Sequence, residues 1–304
     1  MAVGQRVEVE VDGRRLQLSN LDKVMYPHVG FTKGRLIDYY TRVAPVLLPH
    51  LQGRPLTLKR YPNGVEGQHF YEKQCPTHRP DWVRTAAIWS RHNERQIDYC
   101  LAEDLATLVW LGNLADLELH TSLSTADVIS RPTMLAFDLD PGEPAGILEC
   151  AQVALWLRET LTQLGLDSVP KTSGSKGLQV YVPLNVDVTY DDTKPLARAL
   201  AQHLEREHGE LVVSSMKKSI RSGKVLIDWS QNDEHKTTVC VYSLRARERP
   251  TVSTPVDWRE VEETLESGDA ARLAFESDEV LDRVDERGDL FAPVVELRQR
   301  LPDL

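Results

Sequence analysis

The sequence predicts a mixed α/β fold, and two kinds of apolar pattern predict it. In some segments apolar residues recur at helical spacing, and short β-rich runs lie between and after those segments. The 304 residues are enough to bury a core without disulfides or structural metal. With 41% hydrophobic and 27% charged residues, the composition is that of a globular protein and excludes disorder and collagen-like fibre.

The chain is predicted to begin with a β-hairpin. Valines alternate with other residues from Val7 to Val11, Asp12-Gly13 is a turn dipeptide, and Leu16 and Leu18 resume the alternation. A first helix is predicted to start after Thr32, which suits an N-cap. Its apolar stripe runs until Pro49 and Gly53 stop it, and Pro45 is expected to kink it.

Two further helices and several strands are predicted beyond residue 130. One helix runs from about Ile147 to Gly165, and another starts near Thr193, has Pro195 in its first turn and ends at Gly209. The β-rich runs are Met134 to Asp140, Gly177 to Leu184, Val225 to Trp229 and Thr238 to Ser243. No repeat or linker divides the chain, so we expect one domain over residues 1–304, with 250–304 as its acidic, helical C-terminal part.

A pair of carboxylates is the strongest chemical signal. Asp138 and Asp140 end an apolar strand and, because side chains alternate along a strand, project from the same face. Such a pair repels itself unless cations neutralise it, and its oxygens suit Mg²⁺ or Mn²⁺. The alternative is a solvated Asp-x-Asp turn at a strand end.

A third aspartate, Asp228, sits in the apolar run Val225 to Trp229, where a lone carboxylate would be costly to bury. It is the natural third metal ligand; an exposed position on an edge strand is the alternative. Three strand-borne carboxylates fit a two-metal site for phosphoryl or nucleotidyl transfer.

Between these acids lies a small, polar loop that suits an anion. Ser173 and Ser175 offer hydroxyls, Lys176 adds charge, and the glycines let backbone approach phosphate oxygens. The loop lacks the spacing of a Walker motif, and a plain Gly-Ser turn is the alternative. Nearby bases flank the acids, namely Lys217, Lys218, Arg221, Lys224, Arg245 and Arg247.

Aromatic and basic residues also interleave near residues 59–64 and 69–74, a pattern that can stack bases and hold phosphates, although such aromatics are more often core residues.

Together these motifs resemble the polymerase domain of bacterial ligase D and its stand-alone relatives, in the archaeo-eukaryotic primase superfamily. The likeness runs from Ser19-Asn20-Leu21-Asp22-Lys23 through KRYPNG, FYEKQ, FDLDPGE, TSGSKGL and VLIDWSQN to Tyr242-Ser243-Leu244-Arg245. It implies a primase-polymerase core with two closely packed subdomains. It also implies a templated polymerase that uses two Mn²⁺ (or Mg²⁺) ions, favours ribonucleotides and fills gaps in non-homologous end joining.

The resemblance assigns roles residue by residue. Asp138, Asp140 and Asp228 would bind metal and catalyse; the nucleotide would contact His120, Ser173, Ser175, Lys176, Gln179, Arg221, Arg245 and Phe70. DNA would contact Asn20, Lys23, Lys33, Lys59, Phe70, Tyr71 and Lys73, the first three at a 5′-phosphate. The family usually has histidine where this chain has Gln179, so triphosphate binding is expected to be weaker.

Implied partners are gapped or broken DNA with a 5′-phosphate, NTP or dNTP, Ku, and a separate ATP-dependent ligase acting in trans. Initiation without a primer is a further implied activity. The rival hypotheses are a Mn²⁺-dependent glycosyltransferase with a DxD motif and a DNA end-binding module with weakened catalysis.

The cysteines and the charge complete the expectations. Cys75, Cys100, Cys150 and Cys240 are too scattered for a metal motif, so we expect reduced thiols and a cytoplasmic, nucleoid-associated protein without a membrane helix. The net charge of −10 does not exclude DNA, because residues 250 to 304 hold 15 acids and 6 bases. Residues 1 to 98, in contrast, hold 15 bases and 10 acids.

Overall fold

The computed structural model describes residues 6–90 and 93–302. Its strands are β1 (Arg6–Val11), β2 (Arg14–Ser19), β3 (Val24–Tyr26), β4 (Phe31–Thr32), β5 (Leu56–Arg60), β6 (Phe70–Glu72), β7 (Thr85–Ser90), β8 (Arg95–Cys100), β9 (Asp116–Thr121), β10 (Met134–Pro141), β11 (Val169–Thr172), β12 (Leu178–Pro183), β13 (Val212–Val213), β14 (Val225–Asp228) and β15 (Thr238–Val239). Its α-helices are α1 (Lys33–Leu51), α2 (Leu105–Asn113), α3 (Ile147–Gln163), α4 (Tyr190–Glu207), α5 (Trp258–Ser267), α6 (Ser277–Arg287) and α7 (Pro293–Glu296). The mixed α/β class is confirmed.

Two sheets organise the molecule. A five-stranded sheet has the order β11-β12-β10-β14-β13, antiparallel except for the β13 and β14 pair. A second sheet has the order β15-β9-β5-β8-β7, with β6 added beside β5. Each sheet has its own apolar cluster, and helices α3 and α4 pack on the first. The apolar cluster of the second sheet also contains residues of α1 and α2.

The first segments form as predicted. β1 and β2 pair antiparallel around Asp12-Gly13, whose φ angles of +49° and +74° suit a two-residue hairpin turn. Thr32 caps α1, since its side chain accepts a hydrogen bond from the amide of Arg35. The helix continues through Pro49 to Leu51, two residues further than the proline suggests.

Two predicted elements have different bounds. α4 starts at Tyr190, because the Asp192 carboxylate accepts bonds from the Thr189 amide and hydroxyl and so forms the first turn early. Pro195 therefore lies in the second turn, and its predicted place in the first is wrong. The predicted strand 238–243 pairs only at β15, since Tyr242 has a φ of +61° and turns the chain.

The prediction of four reduced cysteines is wrong for one pair. Cys75 and Cys100 form a disulfide, with Cα atoms 5.0 Å apart. They are 25 residues apart in sequence, but the Cys75 amide donates to the Asp98 carbonyl and holds the segment after β6 against β8. Spacing in sequence does not report this contact. Cys150 and Cys240 are free and buried.

The acidic C-terminal segment contributes to both cores. Val261 on α5 packs in the cluster of the first sheet, and Val280 on α6 packs in that of the second. Residues 1–5 and 303–304, which belong to the sequence predictions for the two ends, lie outside the described residues.

Candidate active site

A row of four polar side chains crosses the five-stranded sheet. In the strand register, Lys171 on β11 is opposite Gln179 on β12, Gln179 is opposite Asp138 on β10, and Asp138 is opposite Asp228 on β14. Asp140 lies two residues further along β10 and therefore on the same face. The sheet thus brings together the three carboxylates that the sequence predicts as metal ligands.

The carboxylates in this row oppose one another electrostatically. Burial, together with the charges of Asp228 and Asp140, raises the pKa of Asp138 to about 6. A hydrogen bond of 3.0 Å from Gln179 Nε2 to Asp138 Oδ1 acts in the opposite direction. A divalent cation would relieve this repulsion, which is the physical signal that such an ion fits here.

The donor chemistry fits Mg²⁺ or Mn²⁺, although the protein alone does not complete a cage. Asp228 accepts bonds of 2.9 and 2.6 Å from the amide and hydroxyl of Ser230 and one of 2.8 Å from Gln231. Over residues 6–90 and 93–302, no three His, Cys, Asp or Glu side chains are grouped closely enough to hold a metal. Water and phosphate oxygens would complete the coordination, as is usual for Mg²⁺. The three-aspartate ligand set stays a prediction.

The loop between β11 and β12 lies beside the carboxylates. Ser173 Oγ accepts hydrogen bonds of 3.2 Å from the amides of Ser175 and Gly177, so this hydroxyl organises the loop. A Cβ on Gly177 would lie 2.0 Å from the Leu139 carbonyl oxygen, so only glycine lets the loop approach β10. Lys176 is exposed and pairs with Glu143 at 2.7 Å.

Sequence reasoning missed the residue that organises the basic side chains, Glu118 on β9. Its side chain is 2% exposed and lies 3.2 Å from Lys59 Nζ, 3.0 Å from His120 Nε2 and 3.4 Å from Arg245 Nε. Burial alone would raise its pKa, but the His120 hydrogen bond and the cations hold the pKa well below its usual value of 4.5. The signal was available in LELH, because residues two apart on a strand share a face.

One cavity of about 340 Å³ collects most of the predicted nucleotide-binding residues. It is lined by Asp138 and Asp140 together with His120, Ser173, Ser175, Lys176, Gln179 and Arg245. Arg221 approaches from the side of Asp140, with Nη1 3.6 Å from Oδ2. The Gln179 amide is already engaged within the protein, since its nitrogen bonds Asp138 and its oxygen accepts from Lys171.

The paired aromatics are on the surface, not in the core. Phe70 and Tyr71 on β6 are 42% and 58% exposed, so the alternative that they are core residues is wrong. Tyr71 packs edge-on against His120 with 5.9 Å between ring centroids, and Lys59 Nζ lies 5.5 Å from the Tyr71 ring. The exposed Tyr71 ring therefore adjoins the cavity that His120 lines.

The remaining predicted DNA contacts lie elsewhere. Asn20 and Lys23 line a separate cavity of about 560 Å³, and Lys23 Nζ donates to Asn63 Oδ1 at 3.0 Å. Lys33 is buried and donates to the Ser19 carbonyl at 2.6 Å; burial lowers its pKa to about 8. Lys73 lines a third cavity of about 200 Å³ with Trp89.

Comparison with known proteins identifies the family. The family model described as "LigD, primase-polymerase domain" matches residues 32–291. The chain belongs to the LigD primase-polymerase family. The predicted resemblance and enzyme class, a DNA-directed nucleotidyltransferase, are confirmed, and the glycosyltransferase hypothesis is wrong.

Individual relatives agree with this assignment. The chain is 43% identical to "Multifunctional non-homologous end joining protein LigD" of Mycolicibacterium smegmatis, over 92% of this chain and 36% of that protein. It is 34% identical to "Bifunctional non-homologous end joining protein LigD" of Bacillus subtilis, over 90% of this chain and 43% of that protein. The chain thus spans less than half the length of each of these relatives.

A solved structure matches almost throughout. The "Polymerase Domain from Mycobacterium tuberculosis Ligase D in complex with DNA" has a TM-score of 0.86 and 39% identity. The match covers 94% of this chain and 99% of that one. The LigD primase-polymerase fold is therefore confirmed. No helix within the described part of the chain is long and apolar enough to cross a membrane.

Proposed function

We propose that this LigD-family chain is a template-dependent, two-metal polymerase that fills gaps and extends ends during non-homologous end joining. The observation that carries the proposal is that Asp138 and Asp140 line a cavity whose other wall is basic, while Asp228 lies directly opposite Asp138 in the strand register. A polyanionic nucleotide and a cation are both attracted to such a divided site.

The three aspartates would hold two Mn²⁺ or Mg²⁺ ions, which when bound activate the primer 3′-hydroxyl and neutralise the leaving pyrophosphate. The protein's own part is positioning and charge. Arg221, Lys176 and Arg245 are placed to balance the charge of the triphosphate, and His120 lines the same cavity. Ser173 and Ser175 shape the loop that meets the phosphates.

DNA would bind along the surface outside that cavity. Phe70 and Tyr71 are exposed and would stack on bases. Lys59 lies beside the Tyr71 ring, and Lys73 directly follows β6. Asn20 and Lys23 would bind the 5′-phosphate across the gap. Lys33 would contact the phosphate only by giving up its bond to the Ser19 carbonyl. We therefore give it the role of holding the backbone next to Asn20.

The matched DNA complex and the relatives' names support DNA and end joining as the context. We include in the proposal a preference for ribonucleotides, initiation without a primer, a cytoplasmic site of action at the nucleoid, and Ku and a separate ligase as partners. One domain over residues 1–304 completes the proposal, with 250–304 part of the same unit.

The test is primer extension on gapped DNA that carries a 5′-phosphate, with Mn²⁺ and with each class of nucleotide. We expect the wild type to extend and Asp138→Ala/Asp140→Ala to lose extension, because the pair that holds the metal is gone. Equal extension by both proteins would contradict the two-metal mechanism. Binding of the gap without incorporation under any metal would favour the end-binding module instead.

A further inference from the structure

Lys171 is a fully buried lysine that the proposed mechanism does not use. Its side chain has no exposed surface, and its ammonium donates to Gln179 Oε1 at 2.6 Å, to Ser253 Oγ at 2.5 Å and to the Val239 carbonyl at 3.2 Å. All three acceptors are neutral. Among the residues that the structure describes, none of its hydrogen bonds goes to a carboxylate.

Such an arrangement costs stability, because a buried ammonium loses its hydration and gains no opposite charge in contact. Burial lowers the pKa of Lys171 to about 7. A leucine or methionine of similar size would fill the position without this cost. A lysine kept at this place therefore needs an explanation beyond packing.

The geometry of Gln179 supplies that explanation. An ammonium only donates, so the Gln179 oxygen must face Lys171, and the Tyr181 hydroxyl donates to the same oxygen at 3.3 Å. The amide nitrogen must then point the other way, where it donates to Asp138 Oδ1 at 3.0 Å. Without Lys171 the Gln179 oxygen keeps only the longer bond from Tyr181, so the amide is held less firmly against the Asp138 carboxylate.

We propose that Lys171 is a positioning residue that acts through Gln179 to hold the Asp138 carboxylate in place for the divalent cation. This inference rests on the proposed function, in which Asp138 is a metal ligand. The strand register makes the path short, since the three residues are direct neighbours across β11, β12 and β10. A hydrogen-bond partner that contacts a metal ligand fixes the orientation of that ligand.

The direction of one measurement separates positioning from simple charge. If Lys171 acted only as a nearby positive charge, its removal would strengthen the binding of Mn²⁺, because a repulsion would be lost. If it acts through Gln179, its removal weakens binding, because Asp138 loses its fixed donor. Lys171→Met removes the charge and the donors while keeping the length of the side chain.

The experiment measures the Mn²⁺ affinity of the whole chain without DNA or nucleotide, by electron paramagnetic resonance of free Mn²⁺. We expect Lys171→Met to weaken Mn²⁺ binding by about tenfold, the usual scale when a metal ligand loses the residue that orients it. In primer extension the Mn²⁺ concentration for half-maximal rate should rise more than kcat falls. Unchanged or tighter Mn²⁺ binding would overturn the proposal.

Two further variants keep the test decisive. Gln179→Leu breaks the same path from the other side and should weaken Mn²⁺ binding to a similar degree, which also covers a Lys171→Met protein that does not fold. The double variant should be little weaker than either single variant, since residues acting in one path are not additive. Fully additive losses would contradict the path.

Lys194→Met is the matched control. Lys194 on α4 pairs with Asp233 and lies outside the cavity, so its loss should leave Mn²⁺ affinity unchanged. Wild-type protein that binds no Mn²⁺ either alone or with nucleotide present would refute the metal role in the proposed function. If wild type and Lys171→Met bind Mn²⁺ equally tightly, only the role of Lys171 is refuted.

Discussion

At the scale of single residues, Glu118 shows how one buried carboxylate can organise several basic side chains. Lys59 faces it directly across β5 and β9, His120 is two residues away on the same face, and Arg245 reaches it from a distant segment. Each of these three residues belongs to the predicted nucleotide or DNA contacts. Their spacing relative to one another depends on this carboxylate, so its ionisation should be visible in stability.

We predict that Glu118→Gln lowers the free energy of unfolding by about 3–5 kcal/mol at pH 7, the cost of leaving buried cations without their partner. The folded-state pKa of Glu118 is depressed, so its contribution is present above the unfolded value of 4.5 and is lost as pH falls below it. The difference in the free energy of unfolding between wild type and variant should therefore shrink as the pH is lowered from 4.5.

Urea denaturation at a series of pH values measures this gap. Glu266→Gln, at an exposed position on α5, is the control and should follow the wild type at every pH. Curves for wild type and Glu118→Gln that remain parallel down to acid pH would show that Glu118 is not ionised in this network.

At the scale of elements, the loop between β11 and β12 depends on close backbone contact with β10. Gly177 lies against the Leu139 carbonyl, one residue from each of the two aspartates on β10. Thr251 and Ser253 of the C-terminal segment hold the same region, through the Gly174 carbonyl and through Lys171. The acidic C-terminal segment thus supports the loop of the candidate site.

Gly177→Ala should destabilise the protein by about 1–3 kcal/mol and reduce nucleotide incorporation. Its Cβ would lie 2.0 Å from a backbone oxygen, so the loop must move away from β10. Gly146→Ala is the matched control, because there the nearest atom would be 3.7 Å away. Thermal unfolding and primer extension check both effects. A Gly177→Ala protein that matches Gly146→Ala in both would show that the close approach is unimportant.

At the scale of the whole molecule, the net charge of −10 hides a separation of charge. Residues 101 to 150, which contain the proposed metal-binding pair, carry 9 acids and 1 base, whereas residues 1 to 98 have an excess of bases. Lys23 and the segment of Phe70, Tyr71 and Lys73 lie in that basic part. A negative net charge therefore does not prevent a polyanion from binding this basic part of the chain.

DNA affinity should fall as the salt concentration rises. Lys23→Ala should weaken binding to a 5′-phosphorylated gap. It should also reduce the slope of log K against log salt by about 0.9, because one contact to a duplex phosphate is lost. Arg259→Ala removes an exposed arginine from the acidic C-terminal part and should leave the slope unchanged. Fluorescence anisotropy between low and moderate salt measures both slopes. Identical slopes for Lys23→Ala and wild type would place Lys23 outside the interface.

Local patterns were sufficient for much of this protein. The alternation around Asp12-Gly13, the Thr32 cap and the apolar strand ending in Asp138 and Asp140 each depend on interactions within a few residues, so the sequence by itself determined them. The ordered motifs also determined the family, because they identify the chain before any distance is known.

Only the tertiary structure decided how distant segments meet. The Cys75–Cys100 bond, the cations around Glu118 and the row from Lys171 through Gln179 to Asp138 join parts of the chain that no local pattern relates. Strand order and register place those side chains within hydrogen-bonding distance, and burial then fixes which of them are charged and which way each amide points. Those two effects arise from packing, which a linear sequence does not display.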